Sequence, residues 1–147
     1  LEKAQAVAAQ ADPNAVIIAA DTVVALDGVV LGKPADEEEA FRMLSLLSGN
    51  RHQVYTGLTV LRREQVFSQW EEPSVTFRPL TAEEIEAYIA TGEPMDKAGA
   101  YGIQGYGALF IEGISGDYYN VMGLPVCRLG QILGQLGMNC MALAAER

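Results

Sequence analysis

Apolar positions fall into runs whose spacing changes from segment to segment, and those changes outline alternating helices and strands. Leu1 to Gln10 is helix-like, with an end expected between Ala11 and Asn14, where Asp-Pro-Asn breaks the pattern. Ala15 to Ala20 is a continuous apolar run of the kind found in a strand buried on both faces, and Asp21 stands directly at its end. Val23 to Leu26 and Val29 to Leu31 flank Asp27-Gly28, a strong two-residue hairpin signal. Asp36 can cap a helix whose first turn carries Glu37, Glu38 and Glu39, whose inner face is Phe41, Leu44 and Leu47 or Ser48, and which Gly49 closes.

His52 to Arg62 and Gln65 to Phe77 are rich in β-branched and aromatic residues around a short polar turn, which predicts an antiparallel pair. Thr81-Ala-Glu-Glu84 is a capping box, followed by the stripe Ile85, Tyr88 and Ile89 and a stop at Gly92-Glu93-Pro94. Leu109 to Ile114 and Tyr118 to Met122 suggest another hairpin through Ser115-Gly116. Pro125 then opens a last helix bearing Leu129, Ile132, Leu133 and Leu136. At 147 residues the chain is long enough to bury an ordinary core and predicts a single domain covering 1–147.

Composition narrows the partners. The net charge of −9 argues against a general nucleic-acid or acidic-membrane surface, which requires a basic face. No apolar run approaches the roughly 20 residues of a membrane helix, and no secretory signal is visible. The two cysteines, Cys127 and Cys140, have neither zinc spacing nor a disulfide pattern, and read as reduced, buried structural thiols of a cytoplasmic protein. His52, the one histidine, is more simply a surface or strand residue than a base, which disfavours a zinc site or a histidine-dependent triad.

An anionic ligand must therefore be met locally, and the lysines are few: Lys3, Lys33 and Lys97. The segment Asp96 to Gly107 joins Asp96, Lys97 and Gln104 in a glycine-laced loop, a composition suited to a polar, anionic small molecule; the plainer alternative is a tight connection with a solvated ion pair. Asp21, with the hydroxyl of Thr22 next to it, can hold a divalent metal or deprotonate water at a cleft mouth, or can merely cap backbone amides. Gly28 to Lys33 resembles a P-loop but has the wrong glycine spacing and Pro34 in place of the serine or threonine. Gly102, Gly105 and Gly107 fail the dinucleotide spacing as well.

Several ordered motifs go beyond composition. They are Ala-Ala-Asp-Thr-Val-Val at 19–24, Leu-Gly-Lys-Pro at 31–34, Leu-Ser-Gly at 47–49, His-Gln-Val-Tyr-Thr-Gly at 52–57, Gly-Glu-Pro-Met-Asp-Lys-Ala-Gly-Ala-Tyr-Gly-Ile-Gln-Gly at 92–105 and Asn-Val-Met-Gly-Leu-Pro at 120–125. Together they closely resemble the Maf family of nucleoside triphosphate pyrophosphatases, over nearly the whole chain. The resemblance implies an α/β fold with an elongated mixed β-sheet, flanking helices and two lobes around a nucleotide cleft, related to the inosine triphosphate pyrophosphatases. It implies hydrolysis between the α and β phosphates, to a nucleoside monophosphate and pyrophosphate, with a divalent metal cation (magnesium, manganese or cobalt), in a homodimer.

Carried over position by position, Asp21 matches the family's proton acceptor, Lys3 and Lys33 its phosphate-side lysines, and Thr22 and Gln104 positions that separate subfamilies. Threonine after the aspartate, with glutamine in Gly-Ile-Gln-Gly, resembles the branch acting on dTTP and UTP; the 7-methyl-GTP branch has Asp-Gln and a glutamate. The family also implies a strand and a Ser-x-Ser-Pro-Arg-Arg loop ahead of Leu1, and an acidic residue after that loop, which the 147 residues lack. Other readings are a broader house-cleaning pyrophosphatase for non-standard triphosphates and a nucleotide-binding regulator of septum formation.

Overall fold

The computed structural model describes residues 1–10, 12 and 15–146. The expected end of the first helix falls mostly on Ala11, Pro13 and Asn14, outside the described residues; within them, α1 runs Glu2–Ala8. The α/β class holds, with six strands in one sheet: β1 (Ile17–Leu26), β2 (Val29–Leu31), β3 (Arg51–Arg62), β4 (Gln65–Glu71), β5 (Ser74–Phe77) and β6 (Ile111–Ser115). Their order is β2-β1-β3-β5-β6, with β4 also on β3. Every described pairing is antiparallel, so the mixed character expected of the sheet is not seen among these strands.

Turn chemistry explains much of this. Asp27 and Gly28 both take positive φ, 50° and 80°, as a two-residue hairpin between β1 and β2 requires. The strand expected over Gln65–Phe77 is broken at Glu72-Pro73 because proline has no amide hydrogen, yet β5 continues the register of β4 on β3, with Thr56 opposite Glu71 and Gln53 opposite Ser74. Helix α2 (Glu37–Leu47) starts at Asp36, whose side chain accepts a hydrogen bond from the Glu39 amide at 2.8 Å. It buries Ala40, Met43, Leu44 and Leu47, with Phe41 only partly covered. Helix α3 (Ala82–Ala90) carries the expected capping box between Thr81 and Glu84. Arg78 adds a bonded ion pair that holds the Glu84 carboxyl at about 2, well below its usual range.

Three expectations fail here. Tyr118–Met122 is not a strand but helix α4, because Asp117 caps it by accepting from the Tyr119 amide and Gly123 ends it at φ 119°. These local signals outweigh the β-propensity of tyrosine and valine, and β6 pairs with β5 instead. The run before Asp21 is not buried on both faces either: Ile18 is exposed and Ala19 and Ala20 are partly so. The expected terminal helix is α5 (Val126–Gln135), and α6 (Cys140–Ala145) follows it. Cys127 and Cys140 are exposed free thiols, not buried ones, since α5 turns Ile132 and Leu133 inward and α6 has no buried residue.

The long β1–β3 pair, from Ile17 opposite Leu61 to Ala25 opposite Gln53, organises the molecule. On one sheet face, Val24, Val54, Val75 and Phe77 join α2, α3, Tyr101 and Phe110 in the main core. Toward the other end, Leu58 and Val60 pack with Ile132 and Leu133 of α5. A small cluster of Ala4, Ile17 and Leu61 seats α1 on the opposite face. Between these apolar clusters, Asp21, Thr22, Thr56, Gly57 and Thr59 follow one another along the paired strands.

Candidate functional site

Asp21 lies in the middle of β1, not at its end, because the β3 backbone offers Gly57 and Thr56 as partners and the ladder runs through both Asp21 and Thr22. Side chains alternate along a strand, so these two neighbours face opposite sides of the sheet. The sequence-predicted residues are divided accordingly.

On one side, Thr22, Val24 and Val54 floor a cavity of about 260 Å3, walled by the glycine-rich loop (Lys97, Tyr101, Gly102, Gln104) and by α4 (Val121, Met122). Thr22 Oγ1 lies 3.0 Å from Thr56 Oγ1. The single hydroxyl hydrogen of Thr56 goes to the Asn120 carbonyl at 3.3 Å, so Thr22 donates to Thr56 and turns only lone pairs to the cleft. Asn120 is itself fixed, its Nδ2 donating to the Val54 carbonyl at 3.2 Å.

The loop is built to approach this floor closely. Gly99 has φ 73°, and a Cβ there would stand 2.8 Å from Val24 Cγ1; Ala100, buried beside it, is held at φ 63°. The Gly99 amide donates to the Gly32 carbonyl at 3.1 Å, tying the loop to the Leu-Gly-Lys-Pro segment. Lys97 Nζ lies 3.1 Å from Asp96 Oδ1. The hydrogen bond from Lys97, then its charge and more weakly that of Lys33, hold the Asp96 carboxyl below its ordinary range. Asp96 and Lys97 thus form an ion pair at the loop, with the charge of Lys33 acting on Asp96 more weakly.

Behind the wall, His52 is a fully buried strand residue, with Nε2 at 2.6 Å from the Tyr101 hydroxyl and Nδ1 without a hydrogen-bond partner. Burial lowers its pKa to about 4 and raises that of Tyr101. Phe77 and Tyr101 meet it edge-on, a packing role that the strand reading allowed.

On the opposite side, Asp21 lines a second cavity of about 310 Å3 with Lys3, Ala19, Gly57 and Thr59. Lys3 Nζ lies 3.5 Å from Asp21 Oδ1, and both side chains are 70% exposed. Trp70, on β4 opposite Gly57, lies across that glycine and is itself exposed. Lys3 and Asp21 therefore meet each other, but line a different cavity from Thr22 and Gln104. On its outer edge β1 pairs with β2 only over Val24–Leu26, so the edge at Asp21 and Thr22 has no described strand partner.

A comparison with protein families matches residues 1–136 to the Maf-like proteins. The chain belongs to the Maf family. It is 52% identical over 139 residues to a protein of Clostridium novyi, covering 93% of this chain and 73% of the relative. A Symbiobacterium thermophilum protein is 55% identical over 137 residues, 93% of this chain and 70% of the relative. A Bacillus pumilus protein is 54% identical over 128 residues, 87% and 68% of the two chains. All three relatives are named dTTP/UTP pyrophosphatase. The Maf segment spanning 92–105 holds one residue that the sequence reading passed over as a helix stop, Glu93, which accepts hydrogen bonds from Tyr88, Tyr106 and Gly107.

Proposed function

We propose that this Maf-family chain is a nucleoside triphosphate pyrophosphatase that hydrolyses dTTP and UTP between the α and β phosphates, releasing the monophosphate and pyrophosphate. The observation that carries the reading is identity of about half, over nearly the whole chain, to proteins named for that activity. The cleft geometry supports it. Thr22 presents an acceptor and Gln104 an amide with both donor and acceptor, which suits the N3–H and carbonyl edge of uracil or thymine. Lys33 and Lys97 bring cations to the same loop, where Asp96 balances them until a polyphosphate replaces it.

The α-β bond belongs near Asp21. A triphosphate that leaves the Thr22 cavity across the open edge of β1 reaches the Asp21 side, where the carboxylate takes a proton from the attacking water and Lys3 offsets charge on the departing pyrophosphate. Among the described residues no three histidine, cysteine, aspartate or glutamate side chains form a metal-binding group. A single exposed carboxylate fits magnesium or manganese, which are commonly held by one or two carboxylates together with substrate phosphates. Asp21 is thus the residue that would hold a divalent ion, whose chemistry is to neutralise the phosphates.

Among the described residues no helix is long and apolar enough to cross a membrane. We place the enzyme in the cytoplasm as a homodimer. The test is a pyrophosphate-release screen over canonical and modified triphosphates with magnesium, manganese or cobalt. The reading expects dTTP and UTP to lead; equal turnover of purine and pyrimidine triphosphates, or none of either, would contradict it.

A further inference from the structure

Glu93 begins the turn Glu93–Asp96 immediately after α3 and is half-buried. Its Oε1 accepts from the Tyr106 amide at 2.9 Å, while Oε2 accepts from the Gly107 amide at 3.0 Å and from the Tyr88 hydroxyl. The Tyr88 oxygen in turn accepts from the Gly102 amide at 3.1 Å. One carboxylate–phenol pair therefore holds the loop at 102, 106 and 107, on both sides of Gln104. The fit is close: a Cβ on Gly105 would stand 1.7 Å from Glu93 Oε1, so the chain can wrap the carboxylate only with glycine there.

Three converging donors demand an acceptor with no hydrogen of its own, which an ionised carboxylate supplies and an amide does not. Burial alone would raise the Glu93 pKa, but the hydrogen bonds from Tyr88, Gly107 and Tyr106 and the charge of Lys97 bring it below the ordinary range. The side chain is ionised when the loop is formed. Glu93 does not line the cavity that Gln104 lines, so its effect on a ligand passes through the loop.

We propose that Glu93 is a positioning residue for base recognition, a carboxylate post around which the Gly102–Gly107 loop is wound so that Gln104 is held at the cleft. The inference rests on reading that cleft as the nucleotide site. A loop displaced by an ångström misaligns the Gln104 amide with the base edge, and an error of that size can cost about 100-fold.

The experiment compares wild type, Glu93→Gln and Tyr88→Phe by steady-state pyrophosphate release from dTTP, UTP and dGTP, with circular dichroism and thermal melts reporting the fold. For a folded Glu93→Gln, KM for the pyrimidine substrates rises about 10-fold while kcat changes by less than about 3-fold, and the pyrimidine-to-purine ratio of kcat/KM falls. Tyr88→Phe moves the same quantities in the same direction by a smaller factor, and decides the matter if Glu93→Gln does not fold. Unchanged KM and an unchanged ratio in the deciding variant overturn the proposal. If wild type releases no pyrophosphate from any triphosphate, the hydrolase reading fails, and calorimetric affinity for α,β-imido-UTP tests Glu93 instead. Weaker binding by the variant than by wild type then supports the assignment; equal affinity, or no binding by wild type, overturns it.

Discussion

Asp21 and Thr22 are consecutive in one strand, yet one lies in a solvent-exposed charged pair and the other at the partly buried end of a chain of hydroxyls. Thr22 meets Thr56 and, through it, the carbonyl of fully buried Asn120, so its hydrogen is committed and its polarity is set by the fold. Among the described residues Asp21 pairs with Lys3 at 3.5 Å, with both side chains largely in water. The first arrangement suits discrimination, because a fixed acceptor rejects a ligand edge that offers another acceptor. The second suits chemistry on a solvated phosphate chain, since an exposed ion pair is weak and easily exchanged for a substrate contact. On the proposed function, strand alternation separates recognition from reaction by one residue.

The largest test of that division is Asp21→Asn, which removes the proposed base at nearly constant volume. Turnover should fall by at least about 100-fold, as for loss of a general base, while unfolding free energy moves by less than about 1 kcal/mol because the Lys3 pair is exposed. Pyrophosphate release and urea denaturation check the two halves. A stability loss of several kcal/mol would mean that Asp21 is structural.

Acid should break the buried side selectively. The folded His52 pKa of about 4 lies below the ordinary 6.5, so between those values the unfolded chain takes up a proton that the folded protein refuses. The stability that neutral His52 allows is full above pH 6.5 and is lost progressively as pH falls toward 4, by up to about 3 kcal/mol. Urea titrations at pH 7, 5.5 and 4 should show a steeper loss for wild type than for His52→Gln. Parallel curves would remove His52 from the account.

The smallest effect distinguishes charge from scaffold on the exposed side. Lys3→Ala should change unfolding free energy by less than about 1 kcal/mol, as expected for an exposed ion pair, and yet lower kcat/KM for triphosphates in a salt-dependent way. Thermal melts and kinetics across ionic strength separate the two, and unchanged kinetics would leave Lys3 a surface residue.

How much of this the sequence disclosed follows from how local each signal is. Asp27-Gly28, the Asp36 cap and the Thr81–Glu84 box are short-range chemistry, and the structure contains each of them. Tyr118–Met122 misled because a five-residue helix has too little periodicity to outvote tyrosine and valine. Asp21 read as a strand end because aspartate is a poor strand residue, whereas its place within β1 depends on Gly57 and Thr56, far along the chain. The grouping of Thr22 with Gln104, and of Lys3 with Asp21, needs the sheet itself. Glu93 was hidden for the same reason, since its two amide donors lie 13 and 14 residues onward and its sequence context is that of a simple helix stop.

The most direct measurement of the division between the two faces is the ratio of kcat/KM for dTTP to that for dGTP in wild type, Asp21→Asn and Gln104→Glu. Asp21→Asn should depress both substrates by the same factor and leave the ratio unchanged. Gln104→Glu replaces a donor with a carboxylate facing a base carbonyl, and should lower the ratio by the equivalent of about 1–3 kcal/mol. A ratio that shifts in Asp21→Asn, or that stays fixed in Gln104→Glu, would contradict the separation of recognition from reaction across β1.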